Sequence, residues 1–157
     1  MKPRILQNDF KRQWQAIGTD VIAAVERVGA SGWYILGEEV AAFEAALAQL
    51  WGRDRAVGTG NGMDALEIGL RCLGAGPGAK VLTTPFSAFA STLAIMRAGA
   101  QPLFVDVDEL GGIDFQQCRE ALTRDRSIRF LLPVHLYGLP LDLEELRRLR
   151  DEFDLRI

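Results

Sequence analysis

The chain opens on a helical rhythm and later changes to a strand-helix one. Phe10, Trp14, Ile17, Val21, Val25 and Val28 recur at steps of three and four, which lays one apolar stripe along a helix. Asp9 stands where an N-cap belongs. Ala30-Ser31-Gly32 breaks the stripe, and Trp33-Tyr34-Ile35-Leu36 forms a short aromatic segment closed by Gly37. Val40, Phe43, Leu47 and Leu50 then share one face of a second helix that Gly52 ends.

From Arg55 onward, short apolar runs alternate with helical patterns. Ala56-Val57, Val81-Leu82-Thr83, Pro102 to Val105 and Arg129 to Val134 read as strands. The stretches near 64–73, 89–98, 114–122 and 143–153 read as helices. This alternation predicts an α/β fold with a mostly parallel sheet. Pro133 ends or bends its strand, because proline has no ladder donor. The resulting division is N-terminal helices over 1–52 and β-α units over 53–157. Asp154-Leu155-Arg156-Ile157 reads as a new strand just beginning, so the pattern predicts a chain cut within an element. No repeat, low-complexity tract or linker is visible.

Composition narrows the function classes. A length of 157 residues suits one domain, and 48% hydrophobic with 25% charged residues is the balance of a soluble globular protein. Lys+Arg of 18 against Asp+Glu of 21 gives a net charge of -3, with no general pull toward nucleic acid or anionic lipid. Residues 1–9 lack the apolar core of a signal peptide. The most apolar stretch, Phe86 to Met96, meets Arg97 well short of the ~20 residues that span a bilayer. Cys72 and Cys118 match no disulfide framework, metal site or redox motif. A reducing cytoplasmic interior is the simpler reading.

The sharpest local signal is Val57-Gly58-Thr59-Gly60-Asn61-Gly62-Met63-Asp64-Ala65-Leu66, a strand passing through glycines into a helix. Glycine permits close backbone approach and positive φ. The amides of Gly62, Met63 and Asp64 can converge on an anion with the helix dipole behind them. An ordinary tight β-α turn accounts for the same residues equally well. Gly60, Gly62 and Ala65 also satisfy G-x-G-x-x-A, but the dinucleotide reading wants an acidic residue roughly 20 positions on. The second strand instead ends in Thr83-Thr84-Pro85-Phe86. No Gly-Lys-Ser/Thr follows to make a P-loop.

Other residues have a functional and a structural reading. Phe89, just past the second strand, is placed to stack on a heteroaromatic ring or to pack in the core beside Phe86. His135 in Val134-His135-Leu136-Tyr137-Gly138 is the single histidine, a proton carrier or ligand contact, or a hydrogen-bonded structural residue. Asp106 and Asp108 suit an acid/base pair, or caps and solvated turns. No nearby histidine completes a metal set, and no metal site is expected. Glu144-Glu145 with Arg147, Arg148 and Arg150 reads as an exposed ion-paired helix face.

Five ordered segments carry a family likeness: Trp33-Tyr34-Ile35-Leu36-Gly37, Gly60 to Leu66, Gly76-Pro77-Gly78, Phe104-Val105-Asp106-Val107-Asp108 and Pro133 to Gly138. Together, across essentially the whole chain, they resemble the DegT/StrS family of sugar aminotransferases dependent on pyridoxal 5'-phosphate (PLP). The resemblance implies a fold-type-I large domain, a three-layer αβα arrangement around a mostly parallel sheet, incomplete in this sequence and lacking the smaller C-terminal domain. It also implies a homodimer with active sites at the subunit interface. Such enzymes move an amino group, usually from glutamate, onto a nucleotide-linked keto sugar. By position, the Met63 and Asp64 amides beside Gly62 would hold the cofactor phosphate and Phe89 would stack on the pyridine ring. Tyr34 and His135 would lie near substrate or cofactor.

The chain also departs from the family. Met63 and Ala88 stand where threonine is common, so hydroxyl contacts are lost. The lysine that binds the cofactor aldehyde and the acid that keeps the pyridine nitrogen protonated fall beyond Ile157 in the family pattern. Lys2, Lys11 and Lys80 are the lysines present, and Lys80 begins a strand at the end opposite the ligand. The resemblance further implies that Ala56-Val57 lacks strand neighbours and that a gap lies beside Val81–Thr83. At about 1 to 3 kcal/mol per unsatisfied buried group, an isolated chain would be marginal or partner-dependent. The expected activity is transamination in a longer enzyme, with this portion not catalytic alone. The alternatives are a non-catalytic PLP- or phosphate-binding module, a PLP-dependent sugar dehydratase portion, and a small dinucleotide-binding protein.

Overall fold

The computed structural model describes residues 8–157, which form two compact units meeting in sequence at Gly58 and Thr59. In the first unit, α1 spans Phe10–Ser31 and α2 spans Glu38–Leu50. The Asp9 carboxylate accepts the Arg12 amide at 3.2 Å, as its cap position predicts. Gly32, at φ 66, ends α1 in the left-handed region that favours glycine. In the connection, the Ser31 hydroxyl donates to the Val28 carbonyl at 2.8 Å and accepts the Trp33 amide at 3.1 Å. A Cβ on Gly37 would come within 2.9 Å of the Trp33 carbonyl oxygen, so the aromatic segment has to close on glycine. An Arg27–Glu39 pair at 2.8 Å ties the helices together.

One predicted strand does not form. Ala56-Val57 pairs with no strand among the described residues, and Val57 is 80% exposed. The physical reason is the lack of a neighbouring ladder. The next amide, Gly58, is instead taken by the Glu44 carboxylate at 2.6 Å.

The second unit alternates as the sequence predicts. Its elements are α3 (Gly62–Cys72), β1 (Lys80–Thr83), α4 (Phe89–Arg97), β2 (Gln101–Phe104), α5 (Phe115–Arg124), β3 (Phe130–Leu131) and α6 (Leu143–Phe153). The sheet is parallel, in the order β2-β1-β3, with Leu82 in register with both Leu103 and Leu131. Alternation along β1 sends adjacent side chains to opposite faces. Val81 and Phe130 pack with Leu70 of α3 and Ala94 and Ile95 of α4. Leu82 and Leu131 pack with Cys118 and Leu122 of α5 and Leu146, Leu149 and Phe153 of α6. Helices therefore cover both faces of the sheet.

The gap expected beside Val81–Thr83 is absent, because β3 fills that place. Val81 and Leu82 pair with Phe130 and Leu131, and the Leu132 amide donates to the Leu82 carbonyl at 2.9 Å. The β3 ladder ends before Pro133, which cannot donate. The segment 154–157 contributes a single parallel bridge, Phe130 to Arg156, on the outer side of β3. Asp154 takes the left-handed conformation, φ 52, that turns the chain from α6 into this bridge.

Two consequences can be measured. Leu149 is fully buried between α6 and the sheet, so Leu149→Ala should lower unfolding stability by about 2 to 5 kcal/mol in urea titration. At the amino end of β1, Lys80 Nζ meets Asp125 at 2.6 Å and Ser127 at 3.0 Å. The hydrogen bond from Lys80, reinforced by Ser127, lowers the Asp125 carboxyl to about 2. Its folded value lies below the unfolded one, so the pair's stabilisation is present above about pH 4. That stabilisation should fade as pH falls toward about 2, and Asp125→Asn should flatten this acid limb in pH-dependent melts.

Candidate functional site

Of the candidate residues, Gly62, Met63 and Asp64 lie in the first turn of α3 and Phe89 opens α4. Thr84 to Ala88 carry the chain from β1 into α4, so the first turn of α4 lies at the carboxyl end of the sheet. Helix α3 packs beside α4. Arg71, in the last turn of α3, donates to the carbonyl of Arg97, the last residue of α4. The two helices therefore finish together and run in the same direction, with their amino ends at the carboxyl end of the strands.

Asn61 caps α3. Its Oδ1 accepts the Asp64 amide at 2.9 Å, while its Nδ2 donates to Asp64 Oδ2 at 2.9 Å. This reciprocal lock resembles a capping box built with shorter side chains. The Thr59 hydroxyl donates to the Asn61 carbonyl at 3.0 Å and holds the approach to the turn. Among the described residues, the amides of Gly62 and Met63 have no protein acceptor. A Cβ added at Gly62 would meet nothing within 4 Å, so open space lies beside that amide.

The geometry refines the sequence reading of the glycines. Gly58, Gly60 and Gly62 all lie outside the positive-φ region, so left-handed backbone is not why they are small. At Gly60 an added Cβ would sit 3.1 Å from Asp64 Oδ2, a contact the Asp64 side chain would have to yield to. The Asp64 carboxylate also lies 3.7 Å from Arg97 Nη1. Arg97 Nε pairs with Glu67 at 2.7 Å, and Arg71 meets the other Glu67 oxygen at 3.0 Å. The Asn61 cap and the Arg97 link both went unnoticed in the sequence. Asn three residues before Asp64 was a visible capping signal, whereas Arg97 lies 26 residues beyond Arg71 with no local pattern joining them.

Phe89 is the first residue of α4 and is 73% exposed among the described residues. The loop before it is pinned from below. Thr84 Oγ1 accepts the Phe86 amide at 3.2 Å, and the Ser87 and Ser91 hydroxyls pair at 2.7 Å. Buried Thr83 donates to the Leu132 carbonyl at 2.8 Å, tying the carboxyl ends of β1 and β3 together.

His135 Nδ1 accepts the Leu141 amide at 3.0 Å and thereby closes the loop around the short 3-10 turn Leu136–Gly138. That turn carries Tyr137 at φ 55. His135 thus has the structural hydrogen bond of its second reading, and Nε2 is left for another partner. Tyr34 is 72% exposed and lines a cleft of the first unit with Arg27, Trp33 and Glu39.

Several other candidates resolve structurally. Asp108 Oδ1 accepts the amides of Leu110 and Gly112, both at 2.9 Å, and Asp106 Oδ1 accepts the Val107 amide at 2.8 Å. These carboxylates shape a turn. Glu144 and Glu145 pair with Arg147 and Arg148 on α6, as the charge pattern predicts. Burial, aided by the Asp114 charge, pushes the Cys118 thiol up to about 12, so it is an inert core group. Among the described residues there is no His/Cys/Asp/Glu cluster able to hold a metal, and no helix long and apolar enough to cross a membrane.

Comparison with known proteins places this arrangement. The chain is 41% identical over 156 residues to the dTDP-3-amino-3,4,6-trideoxy-alpha-D-glucose transaminase of Streptomyces venezuelae, covering 99% of this chain and 41% of that one. It superposes on the crystal structure of S. venezuelae DesV in complex with a ketimine intermediate with TM-score 0.91 and 40% identity, covering 99% of this chain and 42% of that one. NtdA from Bacillus subtilis, with bound cofactor PMP, matches with TM-score 0.82 and 29% identity over 88% of this chain and 32% of that one. The chain thus spans about two fifths of the S. venezuelae relatives it matches, and the match to DesV bears out the fold-type-I expectation. Residues 15–157 match the DegT/DnrJ/EryC1/StrS aminotransferase family, and the chain belongs to that family.

Proposed function

We propose that this chain provides the phosphate-gripping and ring-stacking side of a PLP site. The enzyme would transfer an amino group, with glutamate as donor, to a keto carbon of a nucleotide-linked deoxysugar. It would act as a homodimer in the cytoplasm. The observation that carries this reading is the pair of acceptor-free amides, Gly62 and Met63, at the amino end of α3. The transaminase name of the S. venezuelae relative and the PMP bound to NtdA support it.

The donor set fits such a group. Two amides at a helix amino end favour a phosphate through hydrogen bonds and the helix dipole. Met63 brings no hydroxyl, so its share of the grip is its backbone amide. The Asp64 amide, expected to join them, is held by Asn61 here, and would contribute only on release from that cap. Phe89 presents a solvent-facing ring at the start of the neighbouring helix, suited to stacking on the pyridine. Bound PLP supplies an aldehyde that accepts the amino group and a ring that withdraws electrons. The residues of this chain bind and orient. Lys80 is engaged by Asp125 at the amino end of β1 and is not the lysine that attaches the cofactor. Tyr34 and His135, whose Nε2 is unused within its loop, would lie near substrate or cofactor. Over 1–157 we assign the N-terminal part of the PLP-binding large domain, with 1–52 as leading helices and 53–157 as β-α units.

The test is equilibrium binding of PLP to the purified protein, followed by amino transfer from glutamate to a panel of nucleotide-linked keto sugars by the full-length enzyme. Phe89→Ala should weaken PLP binding about 2- to 10-fold, the range of an aromatic stacking contact. No saturable PLP binding, or binding untouched by Phe89→Ala, would contradict the reading.

A further inference from the structure

We propose that Arg97 is a charge-compensating positioning residue for the anion site at the start of α3. It would act by neutralising Asp64 so that the Gly62 and Met63 amides can accept a doubly charged phosphate. The inference rests on the PLP reading above.

Helix α3 carries an internal conflict. An acid in a first turn suits the helix dipole, yet Asp64 is two residues from Gly62, and its negative charge opposes any anion approaching the same amides. Asn61 holds the carboxylate in this place, with Nδ2 on Oδ2 at 2.9 Å, and cannot offset its charge. Arg97 can. Its guanidinium lies 3.7 Å from Asp64 Oδ1 and is anchored by Glu67 at 2.7 Å. Glu67 is in turn held by Arg71 at 3.0 Å, and Arg71 donates to the Arg97 carbonyl. Asp64, Glu67, Arg71 and Arg97 thus form a set with zero net formal charge. Removing the Arg97 charge leaves the set net negative.

The geometry also explains why this arginine sits on α4. Arg97 closes the helix whose first residue is Phe89, so one side chain joins the phosphate-facing helix to the ring-facing helix. The partners are partly exposed, with side-chain exposures of 46% for Arg97 and 33% for Asp64. The direct ion pair is therefore a small stabiliser of the fold. Its consequence is expected in anion affinity, where a nearby uncompensated charge acts on a divalent ligand.

The experiment compares pyridoxine 5'-phosphate with pyridoxine, which share a ring, lack the aldehyde and differ in the phosphate. Dissociation constants are measured by calorimetry on the purified protein. Wild type should prefer the phosphate ester. Arg97→Met should reduce that preference about 3- to 10-fold, as expected for loss of one partly screened charge. It should leave pyridoxine affinity unchanged. Arg97→Lys should retain most of the preference, and Asp64→Asn combined with Arg97→Met should restore it. A purely structural role for Arg97 would lower both affinities together, and the double variant would do no better than the single one. Either result, or an Arg97→Met variant with the full wild-type preference, overturns the proposal while leaving the PLP reading intact. A wild-type protein that binds pyridoxine but does not prefer its phosphate, or that binds neither compound, overturns the PLP reading and this proposal with it.

Discussion

The second unit depends on the double-sided burial of β1. All four of its residues, Lys80 to Thr83, pair with β2 on one edge, and Val81 and Leu82 pair with β3 on the other. Val81 and Leu82 feed two separate apolar clusters, one under α3 and α4 and one under α5 and α6. A parallel strand in this position has no solvent face, so each side chain must be apolar or hydrogen-bonded inside. Thr83 meets that demand by donating to the Leu132 carbonyl. The chain therefore leaves the sheet at Thr84 in a fixed direction, and α4 starts in the same place each time.

Function follows from where that constraint ends. At the amino end of β1 the polar groups are matched to one another, Lys80 with Asp125 and Ser127. At the starts of α3 and α4 not every group is matched. The Gly62 and Met63 amides lack an acceptor among the described residues, and Phe89 projects into solvent. The first amides of a helix lack intrahelical acceptors, and the open space beside Gly62 leaves room for an outside one. Both kinds of unfinished valence at the start of adjacent helices are what a ligand-binding edge of an α/β sheet offers. Membership of an aminotransferase family is what supports the proposed PLP reading of these groups.

Much of this was legible in the sequence because it is local. The stripe from Phe10 to Val28, the Asp9 cap, the stop at Gly32 and the start of α4 at Phe89 each depend on neighbours a few residues away. The resemblance to the family also rested on contiguous words in the chain. What escaped was decided at a distance. Ala56-Val57 has the composition of a strand and remains irregular because no ladder lies beside it. The place of β3 next to β1 is set by long-range pairing between residues 81–82 and 130–131, which apolar runs do not encode. At the site, the three amides read as equivalent in sequence, but Asn61 takes one of them. Asp106 and Asp108 alternated as a catalytic pair would, while the turn between Val107 and Ile113 directs their oxygens to backbone amides.

The central claim concerns specific amide hydrogens, which can be observed individually. In a 1H–15N correlation spectrum of the labelled protein, adding pyridoxine 5'-phosphate should shift the Gly62 and Met63 resonances downfield in proton as they donate to phosphate oxygen. Equal concentrations of pyridoxine should leave them nearly still. Identical responses to both compounds, or a phosphate-dependent shift located at other residues while Gly62 and Met63 stay in place, would contradict the account.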